Sequence, residues 1–187
     1  AGGLAYAQAS GNQVFLSGGQ IKTNAVGAIA RKGLADGNHV TISEGADASA
    51  VTGGIGESGA MGNSVLVIGG TLKGDATGGA SQQGTAGGNQ IILHGGQIGG
   101  SILGGHSSER AASHNNIFLV PAPGGTPIVC QGDISGGQSD KGTAEHNGVR
   151  MGSGMVYGSL FGARGSDRAS SNHVDVESGT VQGEVTG

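Results

Sequence analysis

The chain has 187 residues, of which 43 are glycine, with 3% aromatic and 12% charged residues, no tryptophan and a net charge of −4. So few large side chains cannot fill an ordinary globular core, yet the low charge and the recurring Val, Ile and Leu do not fit a disordered chain. The mild acidity and the lack of a basic stripe argue against a nucleic-acid partner. No run reaches the roughly 18 apolar residues of a membrane-spanning helix, and the single cysteine, Cys130, permits no internal disulfide.

Taken in chain order, one pattern returns seven times. Asn12, Asn38, Asn63, Asn89, Asn115, Asn147 and Asn172 are spaced by 26, 25, 26, 26, 32 and 25 residues. An alanine stands three residues before each asparagine, from Ala9 to Ala169. A β-branched aliphatic follows two residues after it (Val14, Val40, Val65, Ile91, Ile117, Val149, Val174), and a further apolar residue two beyond that. The unit reads A-x-x-N-x-V-x-φ-x-G-G-x-φ-x-G-x-φ-x-G-G, with φ apolar; AGGNQIILHGGQIGGSILGG from Ala86 shows it well.

Apolar and polar residues alternate with period 2, the signature of strands. Glycine pairs such as Gly69-Gly70 and Gly95-Gly96 mark places where the chain turns. Each coil therefore reads as three short strands. The first carries N-x-V-x-φ, the second Ile21, Leu72, Ile98 and Val156, and the third Ala25, Val51, Ala76, Ile102, Ile134, Leu160 and Val185. A single coil cannot bury its apolar edge, but successive coils stacked about 4.8 Å apart place like residues over like. The expected fold is all-β: a right-handed parallel β-helix, or β-solenoid, of about seven coils of 25–26 residues, forming one domain over residues 1–187. The seven asparagines are expected to form a structural ladder of stacked amides.

Departures from the pattern mark candidate functional positions. In the second coil Asp47 falls on the apolar column, so either the coil shifts register through Ala46 and Ala48 or the acid faces solvent. The 32-residue spacing after Asn115 reflects an insertion at 121–129 that contains all three prolines, Pro121, Pro123 and Pro127. Proline cannot donate to a ladder, so the insertion should leave the sheet as a loop; with Thr126, these prolines form a candidate partner-binding loop. Removing the insertion puts Cys130 in the column of Ile98 and Val156, where an inert buried thiol is expected. Both ends read as cut through a longer repeat array.

Catalytic motifs do not survive alignment with the repeat. Gly132-Asp133-Ile134-Ser135-Gly136-Gly137 is close to a serine-protease signature, but Ile134 sits in a core column and Ser135 aligns with Thr52, Thr77, Leu103 and Phe161. His114 and His146 each precede a ladder asparagine, without the ligand partners a zinc site needs. Asp75, Asp133 and Glu184 share a column but lie on non-adjacent coils, so no carboxylate dyad of a glycosidase emerges. No cofactor motif is present. A late basic cluster, Lys141, Arg150, Arg164 and Arg168, is a candidate binding patch.

The segment MVYGSLFGARGSDRASSNHVDVESGTVQGEV resembles the V-Y-G-G…A-x-x-N-x-V-x-I-x-G-G-x-V-x-G repeats of Gram-negative autotransporter passenger domains, and ATGGASQQGTAGGNQIILHGGQIGGS carries the same pattern. The resemblance covers essentially the whole chain. It implies an exported, cell-surface segment, displayed through a C-terminal translocator that this sequence does not contain. It further implies a non-enzymatic adhesin whose partner is a host-cell or extracellular-matrix protein, or a stalk. Self-association and a carbohydrate-active enzyme are the alternative expectations.

Overall fold

The computed structural model describes residues 1–187; every regular element is a strand, and every strand pairing is parallel. The strands form two sheets of seven and one of fourteen. The chain is a β-solenoid of seven stacked coils. The third coil shows the cross-section: Gly59–Met61, Ser64–Val67, Thr71–Leu72 and Ala76–Ser81. We refer to these four positions as the alanine, valine, middle and glycine strands. The last three are the strands expected from the periodicity; the alanine strand is an addition to them. The middle and glycine strands share the large sheet because Ala46–Gly56 runs through both positions without a break.

Pairing is like on like. Val40, Val65, Ile91, Ile117 and Val149 stack in register, as do Ile42, Val67, Leu93, Leu119 and Met151. With the inward side chains of the middle and glycine strands they form one core of 23 buried residues. Burial of each large aliphatic contributes about 1.5–3 kcal/mol. At Asp47 the register alternative holds: Asp47 pairs with Thr71 and Gln20 on the outer face, and Ala48 fills the core column between Ile21 and Leu72. Cys130 pairs with Ile98 and Val156 in that same column. The insertion is shorter than its sequence boundary. Ile128–Cys130 is already a middle strand and Ile128 is buried, so the loop ends at Pro127.

A ladder of amides runs the height of the solenoid. Each asparagine from Asn12 to Asn147 donates one Nδ2 hydrogen to Oδ1 of the asparagine in the next coil, at 2.8–3.0 Å. From Asn38 onward its second Nδ2 hydrogen goes to the carbonyl of the alanine one coil before, as in Asn89 to Ala60 at 2.9 Å. Each Oδ1 from Asn38 onward also accepts the backbone N–H of the preceding coil's asparagine. Inside the coil stack, therefore, every donor and acceptor of these fully buried side chains is used.

The glycines do two different jobs. Gly19, Gly70 and Gly96 have φ of 81°, 85° and 113° and turn the chain, as expected of glycine pairs. The pairs in the glycine strands do not turn it; they permit close approach. A Cβ on Gly79 or Gly105 would fall 2.4–2.5 Å from ladder asparagine atoms, and one on Gly78 or Gly104 would fall 2.2–2.3 Å from the next coil's glycine carbonyl. On the far side of the ladder the interior narrows to alanine, glycine and serine. There Ser107 Oγ donates to Gly84 O at 2.8 Å and accepts the Arg110 N–H at 2.9 Å. Ser81 and Ser139 accept the Gly84 and Gly142 N–H groups in the same way.

Two stability predictions follow from these contacts. Gly104→Ala forces a methyl against backbone and should cost about 1–3 kcal/mol or more, whereas Gly18→Ala, whose Cβ meets nothing nearer than 3.9 Å, should be close to neutral. Asn89→Ala orphans the Asn63 N–H, an Asn63 Nδ2 hydrogen and the Ala60 carbonyl, each buried group costing about 1–3 kcal/mol; Asn12→Ala, at the half-buried start of the ladder, should cost less. Urea-denaturation midpoints of the four variants check both orders.

Candidate functional site: an apolar ribbon on the valine wall

Alternation puts half of each valine strand outside. In Ser64–Val67, Val65 and Val67 are buried while Ser64 and Leu66 face outward. Stacking then aligns the outward residues into columns. One column runs Phe15, Thr41, Leu66, Ile92, Phe118, Arg150 and Asp175. Beside it, at the strand ends, Ile68, His94 and Val120 continue the ladder by donating to Ile42, Val67 and Leu93 at 2.8–2.9 Å. Leu66, Ile92 and Phe118, each half-buried, form an apolar column over three successive coils, flanked by Ile68 and Val120, which are 43% and 44% exposed with His94 between them. The residues above and below in the same column, Thr41 and Arg150, are polar, so stacking does not demand apolar side chains here. Polar-outward alternation is the ordinary rule for a solvated wall, and this ribbon breaks it.

The proline-rich loop borders the ribbon. Directly after Val120, Ala122 N–H donates to the His94 carbonyl at 3.0 Å, and Gly96 N–H donates to Pro127 O at 3.2 Å. His94 Nδ1–H donates to Val120 O at 2.7 Å. The loop is thus tied down over the preceding coil. Pro121, Pro123 and Pro127 are exposed; Thr126 is half-buried against Gly95, with its Oγ1 enclosed and unpaired. On its other side the loop walls a cleft of about 330 Å³ with Glu44, Asp47, Thr71 and Gln97.

The basic residues grouped by sequence are not all brought together. Arg150 lies on a valine strand, Arg164 on a glycine strand, Arg168 on an alanine strand and Lys141 on a turn. Each faces an acid: Arg150 faces Glu177 and Asp175, Arg164 lies 2.6 Å from Asp133, Arg168 2.6 Å from Glu145 and Lys141 3.6 Å from Glu109. Arg150 lies on a different wall from Lys141, Arg164 and Arg168, which flank one corner of successive coils, and each of the four is offset by its own acid. Arg164 also stacks over the Phe161 ring at 3.7 Å.

The acids of the shared column cap the next coil. Asp75 Oδ1 accepts the Ser101 N–H at 2.7 Å and Asp133 Oδ1 the Ser159 N–H at 2.8 Å. The Arg164 hydrogen bond and that amide hold the Asp133 carboxyl below its usual range, so it stays ionised. Ser135 is buried and donates to Gly137 O at 2.9 Å, which removes it as an exposed nucleophile. His114 and His146 stack with centroids 4.9 Å apart, both in the left-handed region (φ 56°) that glycine occupies before the first four ladder asparagines. His173 follows its asparagine and belongs to a different column, beside Gly148.

The Cys130 thiol is fully enclosed in the core, and burial pushes its pKa up to about 12 from an ordinary 9.0. The chain matches no protein-family model, no curated protein and no solved structure. What the fold and this surface define is a parallel β-solenoid with one apolar outer ribbon.

The thiol gives a pH prediction. Its folded pKa is raised, so its contribution to stability is fully present below pH 9 and is lost as pH climbs toward 12, because only the unfolded chain ionises in that window. Denaturation midpoints should fall by about 1.4 kcal/mol per pH unit from this group, and Cys130→Val should remove that component. Thiol reagents should label Cys130 only on unfolding.

Proposed function

We propose that the chain is a segment of a bacterial cell-surface adhesin that uses the valine wall and the adjoining loop as its contact face. The observation that carries this reading is the half-buried column of Leu66, Ile92 and Phe118 on consecutive coils, flanked by the exposed Ile68 and Val120. A stalk has no use for it, because Thr41 and Arg150 stack in the same column equally well. Contiguous apolar side chains rimmed by polar ones on an outer wall are a mark of a protein-interaction surface. Tethering of the loop beside the ribbon supports a preorganised edge to that face. The resemblance of the repeats to autotransporter passengers supports extracellular display through a translocator, with a host-cell or matrix protein as partner.

Binding of the purified chain to immobilised matrix proteins and to cultured epithelial cells tests the reading. Phe118→Ser, and separately deletion of 122–127, should weaken binding at least tenfold, about 1.4 kcal/mol. Phe118→Ser should lower stability by about 1 kcal/mol, well short of the cost of a core truncation, since this side chain is half-buried on the outer face. A wild-type chain that binds neither surface overturns the proposal and leaves a stalk.

A further inference from the structure

We infer that Asn147–Gly148 is a modification site gated by the fold: its amide is inert while the ladder is closed and deamidates when the sixth coil opens. It is the one Asn-Gly pair in the chain. The other ladder asparagines precede Gln13, His39, Ser64, Gln90, Asn116 and His173. A side chain on the following residue hinders attack of that residue's backbone nitrogen on the asparagine amide carbon. Glycine has no side chain and bends freely into the required ring. The fold does not demand this glycine. Gly148 has no left-handed φ, and a Cβ there would meet only the ends of the His173 and Asn116 side chains, at 2.5–2.9 Å.

The reaction needs only solvent water as co-reactant. The Gly148 nitrogen forms a bond to Asn147 Cγ, the Cγ–Nδ2 bond breaks, and the proton lost from the Gly148 nitrogen leaves with the amide as ammonia. Water then opens the cyclic imide at either carbonyl, giving aspartate or isoaspartate. In the closed ladder every participant is held. Gly148 N–H donates to Asn115 O at 2.9 Å. Asn147 Nδ2 donates to Ala112 O at 2.9 Å and to Asn172 Oδ1 at 3.0 Å, and its Oδ1 accepts from the Asn115 N–H and Nδ2. Ring closure would break these bonds inside the stack, where Asn147 has no exposed surface. Conversion therefore follows the population of the open coil.

The product does not fit back into the ladder. At neutral pH either product carries a carboxylate, which donates no hydrogen bond. An aspartate at 147 would aim an oxygen at Ala112 O and Asn172 Oδ1, two acceptors left without their donor, and would place a charge inside the stack. Isoaspartate adds a methylene to the main chain and breaks the register of Gly148–Met151. An opening that lasts long enough is thus recorded covalently, and the altered chain is withdrawn from the folded pool.

Ageing the intact chain in mildly alkaline buffer, with and without guanidinium chloride, tests this, with Gly148→Ala alongside. Trypsin releases residues 142–150 by cutting after Lys141 and Arg150, and the amide-to-acid mass shift of that peptide measures conversion. Wild type should convert at least about a hundredfold more slowly folded than in denaturant. Gly148→Ala should convert at least about tenfold more slowly than wild type in denaturant. When aged wild type is diluted from denaturant, the refolded fraction should carry the amide and the fraction that fails to refold should carry the acid. Equal conversion in both conditions overturns the inference, as does a Gly148→Ala chain that converts as fast as wild type in denaturant. Refolded chains that carry the acid at 147 with an unchanged denaturation midpoint overturn it too. The wild-type arms stand by themselves if the variant folds poorly.

Discussion

The amide ladder is the constraint on which the rest of the solenoid depends. Each Oδ1 within the stack takes two donors and each Nδ2 gives two hydrogens, so no asparagine has spare capacity. A slip of one residue in any coil would orphan buried polar groups and turn that coil's aliphatics outward at once. The ladder therefore fixes coil register, and beside it Gly27, Gly53, Gly78, Gly104 and Gly136 stack as glycine because a Cβ there would strike the next coil's glycine carbonyl. Glycine, usually a liability in strands, is required here by close packing.

Because register is secured from inside, the outward positions of the same strands are released from structural duty. That release explains how one column can hold Phe15, Thr41, Leu66, Ile92, Phe118, Arg150 and Asp175 without disturbing the stack. Each valine strand thus divides its labour by alternation. Inward residues supply cohesion, and outward residues are free to supply recognition. The insertion obeys the same economy: six or so added residues leave between two strands, tie back to His94 and Gly96, and return Cys130 to its column.

Much of the fold was legible because a parallel solenoid repeats its environment. The Asn, Val and Ile columns, the buried Cys130 and the placement of the loop all follow from aligning one coil on the next. Other features were not legible, each for a physical reason. The alanine strand lies in the segment with the weakest apolar alternation, because its interior neighbours are glycine and serine rather than large side chains. For Asp47 the sequence left two alternatives open, and the pairing decides: a one-residue shift brings Ala48 inward and leaves the acid on the outer face. Arg150 is close in sequence to Lys141, Arg164 and Arg168 yet falls on a different wall, because each coil turns the chain through its whole cross-section in about 25 residues. The apolar ribbon was in plain view as Leu66, Ile92 and Phe118, but an alternating strand gives no warning that its outward residues will line up into one surface.

The sequence by itself determined the repeat, the period-2 strands, which residues point inward and the ladder that holds register. These are local or periodic properties, and a period of 25–26 residues translates directly into vertical neighbours. Only the tertiary structure decided lateral relations: four strands per coil instead of three, acids paired with the basic residues, the loop closed at Pro127, and the ribbon next to that loop. Lateral neighbours depend on the angles of the turns between strands, and glycine-rich turns leave those angles to be set by packing rather than by local preference.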